Sequence, residues 1–188
     1  MIMKQHLFPA IKLTFFTVLL FAVAYPLVLW GIAQWAPNHG EGIVVEYRGK
    51  KYYDNIGQRF TGEGYFHSRP SAVEYDAAGS GGSNKSASNP QYLALVQARI
   101  DAFLVDNPGV HRQEIPVDLL TASGSGLDPH ISPEAAQVQV KRIARARGIP
   151  ENDLRSLVAS HTEKPLWGMF GPPKVHVLRL NIALDSIR

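Results

Sequence analysis

From Leu13 to Trp35 the chain reads LTFFTVLLFAVAYPLVLWGIAQW, 23 residues with no charged side chain. Thr14, Thr17 and Gln34 are its only clearly polar members. A helix rising ~1.5 Å per residue crosses a hydrocarbon core of ~30 Å in that length. The pattern therefore predicts a transmembrane helix over 13–35, preceded by a short segment, 1–12. Tyr25, Trp30 and Trp35 fall in its second half, and the two tryptophans suit an interfacial belt. Pro26 removes a donor and is expected to kink the helix. Ala22, Ala24, Gly31 and Ala33 would let a neighbouring helix approach closely. A cleaved signal peptide is the competing reading, because Ala22-Val23-Ala24 fits a small-x-small cleavage site. The apolar run continues for eleven residues past Ala24, which favours a retained anchor.

After residue 35 the periods change often. Residues 37–42 read as a linker. Val44–Tyr47 and Lys50–Tyr53 read as paired strands about Arg48-Gly49. Residues 76–90 are small, polar and rich in glycine, hence a loop. Asn89-Pro90 then opens a helix, with Leu93, Val96, Ile100, Phe103 and Leu104 at helical spacing. Ile115–Leu120 reads as a short strand bearing a proline. Residues 121–131 (TASGSGLDPHI) form a second loop. Ser132-Pro133-Glu134 opens a helix that runs to Gly148, and Lys141, Arg142, Arg145 and Arg147 read as its solvated basic face. Glu151–Ser160 is a further helix. Val175–Leu184 alternates with one phase slip, which predicts a bulged strand. Helices and strands interleave without a βαβ series, so the fold class is α+β: one N-terminal transmembrane helix, then a single mixed domain over 36–188.

Charge adds orientation. No acid precedes Glu41, and Lys4 and Lys12 are the only Lys or Arg before Arg48. With the amino terminus they favour a cytoplasmic start and an extracytoplasmic domain, although Arg48, Lys50 and Lys51 sit near the other end. The remaining 17 basic residues face 16 acidic ones, too balanced for a nucleic-acid partner. The absence of cysteine excludes disulfides and thiolate chemistry.

The two glycine-rich loops hold the candidate chemistry. Gly79–Asn84 lacks the GxxxxGK[ST] pattern of a phosphate loop. Ser80 in AGSGG nearly matches a nucleophile elbow, and Ser125, Asp128 and His130 bring hydroxyl, acid and imidazole within six residues. A membrane-anchored periplasmic hydrolase is thus the alternative reading, but no strand precedes Ser80, and triad members usually come from separate segments. The seven histidines show no HxxxH or HExxH spacing, so no metal site is expected. Without a catalytic set, the polar loops read as docking surfaces, with Arg69, Asn84, Asp128 and His130 as candidate partner-binding residues. Local roles compete: Arg69 with Glu63 or Glu74, and Asp128 as the cap at Ser132.

Three blocks carry a resemblance: FHSRPSAVEYDAAGSGGSN (66–84), IPVDLLTASGSGLDPHISPEAAQVQVKRIARARG (115–148) and VHVLRLNIALD (175–185). With the apolar N-terminus they resemble the KdpC family, the C subunit of the bacterial potassium-transporting Kdp ATPase. Lys85-Ser86-Ala87-Ser88 departs from the family's usual Leu-Gly-Pro-Thr. Gly171–Lys174 and His176 replace a more typical Gly-Glu-Pro-Arg and Asn. The resemblance implies a non-catalytic accessory subunit in the inner membrane. Its partners would be a channel-like A subunit, a P-type ATPase B subunit and a small F subunit, besides the bilayer. Potassium would be the transported ion. No cofactor is expected on this chain, with ATP acting at the level of the complex. Two roles are implied: a chaperone that raises the ATP affinity of the B subunit, and an extracytoplasmic cap beside the ion entrance of the A subunit.

Overall fold

The computed structural model describes residues 2–187, with side chains from residue 6 onward. The amino terminus and the Lys4 side chain, used above for orientation, lie outside the described residues. The chain divides into two compact units, one reaching Val45 and the other beginning at Glu46.

The first unit is dominated by one helical rod: α1 (Ile2–Val18), a π-helical stretch at Leu19–Ala24, and α2 (Tyr25–Ala33). Its stretch His6–Ala33 is long and apolar enough to cross a membrane, and its side chains are unburied within the chain. The helix starts before Leu13 and stops at Ala33, because Gln34 and Trp35 enter a turn. The missing donor of Pro26 coincides with a change of register: the Tyr25 amide donates to Leu20 O, a π-type bond. Residues 37–40 form a tight turn, with Asn38 and His39 at positive φ.

The second unit is α+β. The hairpin of β1 (Val44–Tyr47), a strand that runs across the boundary between the units, and β2 (Lys50–Tyr53) is present as predicted. The long helix α3 (Pro90–Asp106) is capped as expected, Asn89 accepting from the Tyr92 amide at 3.0 Å. Leu93 nevertheless stays 53% exposed. A three-stranded antiparallel sheet has the order β3 (His130–Ile131), β5 (Lys174–His176), β4 (Thr162–Glu163). Helices α4 (Pro133–Gln137), α5 (Val140–Arg147), α6 (Glu151–Ser160) and α7 (Val177–Leu184) complete it. The core joins Phe66, Ile131, Val140, Ile143, Leu154, Val158, Val175, Leu180 and Leu184.

Four expectations change. Ile115–Leu120 is not a strand. Pro116 starts a 3-10 turn over Val117–Leu119 that buries Leu119 and Leu120. The helix predicted over 133–147 breaks at Val138–Gln139, where the Gln139 amide bonds Ala136 O in 3-10 fashion. Arg142 is not on a solvated face: it is buried, donating to Asn107, Glu63 O, Tyr65 O and Gln139. The stretch 175–184 is not a bulged strand: its first two residues end β5, and the rest is α7. The phase slip marks the helix start, where His176 Nδ1 accepts from the Arg179 amide at 3.4 Å.

Candidate functional site

The two glycine-rich loops lie against each other. The Gly81 amide donates to Ser125 O at 2.8 Å, and Ser80 Oγ donates to the same carbonyl at 3.2 Å. Gly126 has φ +68°, and a Cβ there would stand 2.8 Å from Gly81 O and from Val73 Cγ2. Glycine is therefore required for close backbone approach. The Gly81 N–H that a phosphate cradle would use is engaged in joining the loops.

Next to this junction three of the predicted residues meet. Arg69 pairs with Asp128 at 3.2 Å. The other carboxylate oxygen of Asp128 accepts from the His130 amide at 3.0 Å and lies 3.3 Å from His130 Nδ1. Burial pushes Asp128 up, yet the hydrogen bonds from His130 and the charge of Arg69 hold it below the ordinary carboxylate value. Asp-Pro-His places carboxylate and imidazole two residues apart, and the β3–β5 register then sets His130 opposite His176. The two rings meet edge to face, centroids 5.0 Å apart.

His176 extends the cluster inward. It is buried, and burial pushes its pKa down, so the neutral ring is favoured. With the proton on Nε2 it donates to Asp54 O at 2.6 Å, leaving Nδ1 to cap α7. Asp54 is bound through both oxygens by Arg179, at 2.8 and 2.6 Å, and those hydrogen bonds hold its pKa down. Asp54, His176 and Arg179 carry no motif spacing. The sheet register places His176, and hydrogen bonds from His176 and from Arg179 on α7 bring in Asp54, so no sequence pattern could have found them.

The Arg69–Asp128 pair separates two concavities. One, about 440 Å³, is lined by Asp118, Thr121, His130 and Lys174 among others. The second, about 570 Å³, passes Asn55, Ser123 and Ser125. Arg69 Nε is buried and has no hydrogen-bond partner among the described residues. A separate cleft of about 530 Å³ over α5, lined by Lys141, Arg142 and Arg145 among others, contains none of the predicted residues.

The remaining expectations sort plainly. Asn84 is exposed at φ +51° and does not join the cluster. Glu74 pairs with Arg59 at 2.9 Å, not with Arg69. Asp118, not Asp128, supports the start of α4, accepting from the Ser132 amide at 2.7 Å and its hydroxyl at 3.2 Å. Ser125 Oγ accepts from the Leu127 amide at 3.1 Å. Among the described residues neither Ser80 nor Ser125 bonds a histidine, so no nucleophile–base pair forms. Nor do three His, Asp or Glu side chains gather there as metal ligands.

A family model described as "KdpC: K+-transporting ATPase, c chain" matches residues 7–186. The chain belongs to the KdpC family. A relative from Flavobacterium psychrophilum, named potassium-transporting ATPase KdpC subunit, is 54% identical over 98% of this chain and 100% of its own length. A protein of the same name from Bacteroides thetaiotaomicron is 50% identical, over 97% and 98% respectively. One from Caldanaerobacter subterraneus subsp. tengcongensis is 45% identical over 97% of this chain and 95% of the relative. KdpC membership thus spans both the apolar helix and the α+β unit.

Proposed function

We propose that this chain is a non-catalytic accessory subunit of an ATP-driven potassium-uptake complex. Its helix is retained as a membrane anchor, its N-terminus is cytoplasmic, and residues 36–188 form one extracytoplasmic domain. Family membership supports the complex. The single structural observation behind a docking role is the convergence of Arg69, Asp128 and His130 beside two joined polar loops, with Arg69 Nε left unpartnered. Nε is covered by the chain itself, but the rest of the Arg69 and Asp128 side chains stays 24% and 30% exposed, within reach of polar groups of a partner subunit. In this reading the channel-like and ATPase subunits are the partners. Any effect on ATP affinity travels through subunit contacts that bias a shared equilibrium, not through nucleotide held by this chain.

Arg69→Ala and His130→Ala test it in the complete complex. Both variants are expected to keep the chain folded, with a thermal midpoint within a few degrees of the parent, while lowering recovered complex or potassium uptake by roughly tenfold, the equivalent of ~1.4 kcal/mol at an interface. Full assembly and uptake with only a lowered midpoint would make the cluster a purely internal device.

A further inference from the structure

Between β4 and β5 the chain makes an apolar tip that neither the core nor the site uses. Leu166, Trp167, Met169 and Phe170 are 63%, 80%, 76% and 59% exposed. The tip is ordered by its own backbone: Leu166 and Phe170 exchange both amide–carbonyl bonds at 3.0 Å, and the Gly168 amide donates to Pro165 O at 2.8 Å. Trp167 sits at φ +54°, a left-handed conformation unusual for a bulky residue, with Gly168 at +75° after it. Its ring meets Phe170 edge to face at 6.0 Å. The neck is closed by the Glu163–Lys174 pairing of the sheet. A rigid base thus presents four large apolar side chains outward, where they lose contact with the core.

We propose that this turn inserts into the interfacial layer of a lipid bilayer. The inference rests on the reading of His6–Ala33 as a retained anchor. Only ten residues, 34–43, separate Ala33 from Val44. At most ~3.5 Å per step, the thirteen steps from Ala33 to Glu46 keep the start of the second unit within about 45 Å of chain from the helix end. Tethering raises the local concentration of a bilayer, so even shallow insertion is favoured. The chemistry also fits. Tryptophan, phenylalanine and leucine enter the boundary of headgroups and acyl chains, and a basic residue beside them is attracted to anionic headgroups. Lys164 makes no ion pair among the described residues, whereas Lys174 has Glu163 at 3.5 Å.

The full chain has three tryptophans, so Trp30→Phe with Trp35→Phe leaves Trp167 as the sole reporter. This protein is reconstituted into phosphatidylcholine–phosphatidylglycerol vesicles with plain or brominated acyl chains. Insertion to ~5–10 Å predicts blue-shifted emission, and roughly a twofold loss of intensity in the brominated vesicles. Emission like that in water, quenched by acrylamide and indifferent to bromine, overturns the proposal. So does emission shielded from both quenchers, which indicates contact with protein. Alkaline carbonate extraction reads the anchor separately. A chain retained in the pellet whose Trp167 ignores bromine overturns insertion alone, and a chain stripped into the supernatant overturns the anchor as well.

Discussion

His176 shows how one side chain can join two elements. Its Nδ1 caps α7, its Nε2 holds the Asp54 carbonyl, and its ring packs on His130. All three contacts suit the neutral form, and burial lowers its pKa; His67 is lowered too, by burial and then by Arg142. An unfolded histidine takes up a proton near pH 6.5, whereas these two resist it in the folded state. Below that pH the unfolded chain binds more protons, so stability falls with acidity and is fully regained above it. Asp54 and Asp128, whose pKa values are also lowered, add the same trend only in more acid solution, below the ordinary carboxylate value. His176→Asn keeps a donor for Asp54 O but cannot titrate. The thermal midpoint of the detergent-solubilised chain should fall from pH 7.5 to 5.5, and the variant should show a smaller fall. An unchanged fall would show that His176 is not a source of it. Arg69, Asp128 and His130, like Asn84, were readable as candidates because directional hydrogen-bonding side chains stand out in or beside loops rich in Gly and Ser. His176 was not, since a lone histidine in an apolar strand carries no sign of what the register will set opposite it.

At the scale of elements, capping chemistry was the most readable signal. Asn89-Pro90 and Ser132-Pro133 each open a helix, and Gly148, at φ +67°, closes one. Short apolar runs misled. In 177–184 the buried positions are 177, 178, 180, 181 and 184, a helical face in which buried Asn181 breaks the apparent alternation. Residues 62–68 have no period at all, because side chains from helices fix them instead of a ladder. Asn181 brackets the Phe66 peptide groups at 2.9 and 3.0 Å, and Gln139 accepts from the His67 amide at 2.7 Å. Arg142 donates to Glu63 O and, at 3.0 Å, to Tyr65 O. Asp185 then ties Tyr65, at 3.0 Å, to Arg147, at 2.6 Å. This arrangement drives Phe66 fully into the core. Arg142→Met would leave several buried acceptors without a donor, each costing ~1–3 kcal/mol. The expected loss is about 3 kcal/mol or more in chemical denaturation, whereas Arg145→Met, at an exposed position of the same helix, should change stability by less than ~0.5 kcal/mol. Comparable losses for the two would contradict the strapping role of Arg142.

As a whole, the molecule joins an apolar helix to an α+β unit that carries a half-buried polar cluster and an exposed apolar tip. A helix whose side chains are all unburied in the chain needs lipid or other helices around it. In the proposed function, the half-buried cluster at Arg69 and Asp128 meets its partners on the side of the membrane where the domain lies. The span was legible from composition, while its side-to-side direction rests on a small charge asymmetry, Lys4 and Lys12 against Arg48, Lys50 and Lys51. Direction decides whether this chain could contact ATP directly, because a domain outside the cell cannot touch cytoplasmic ATP. The most direct measurement fuses, after the last residue of the full chain, a reporter that is active only outside the cytoplasm and, in parallel, one that is active only within it. The account predicts activity from the first and none from the second. Activity from the cytoplasmic reporter alone would contradict the extracytoplasmic domain and, with it, the proposed docking of Arg69, Asp128 and His130 beside the ion entrance.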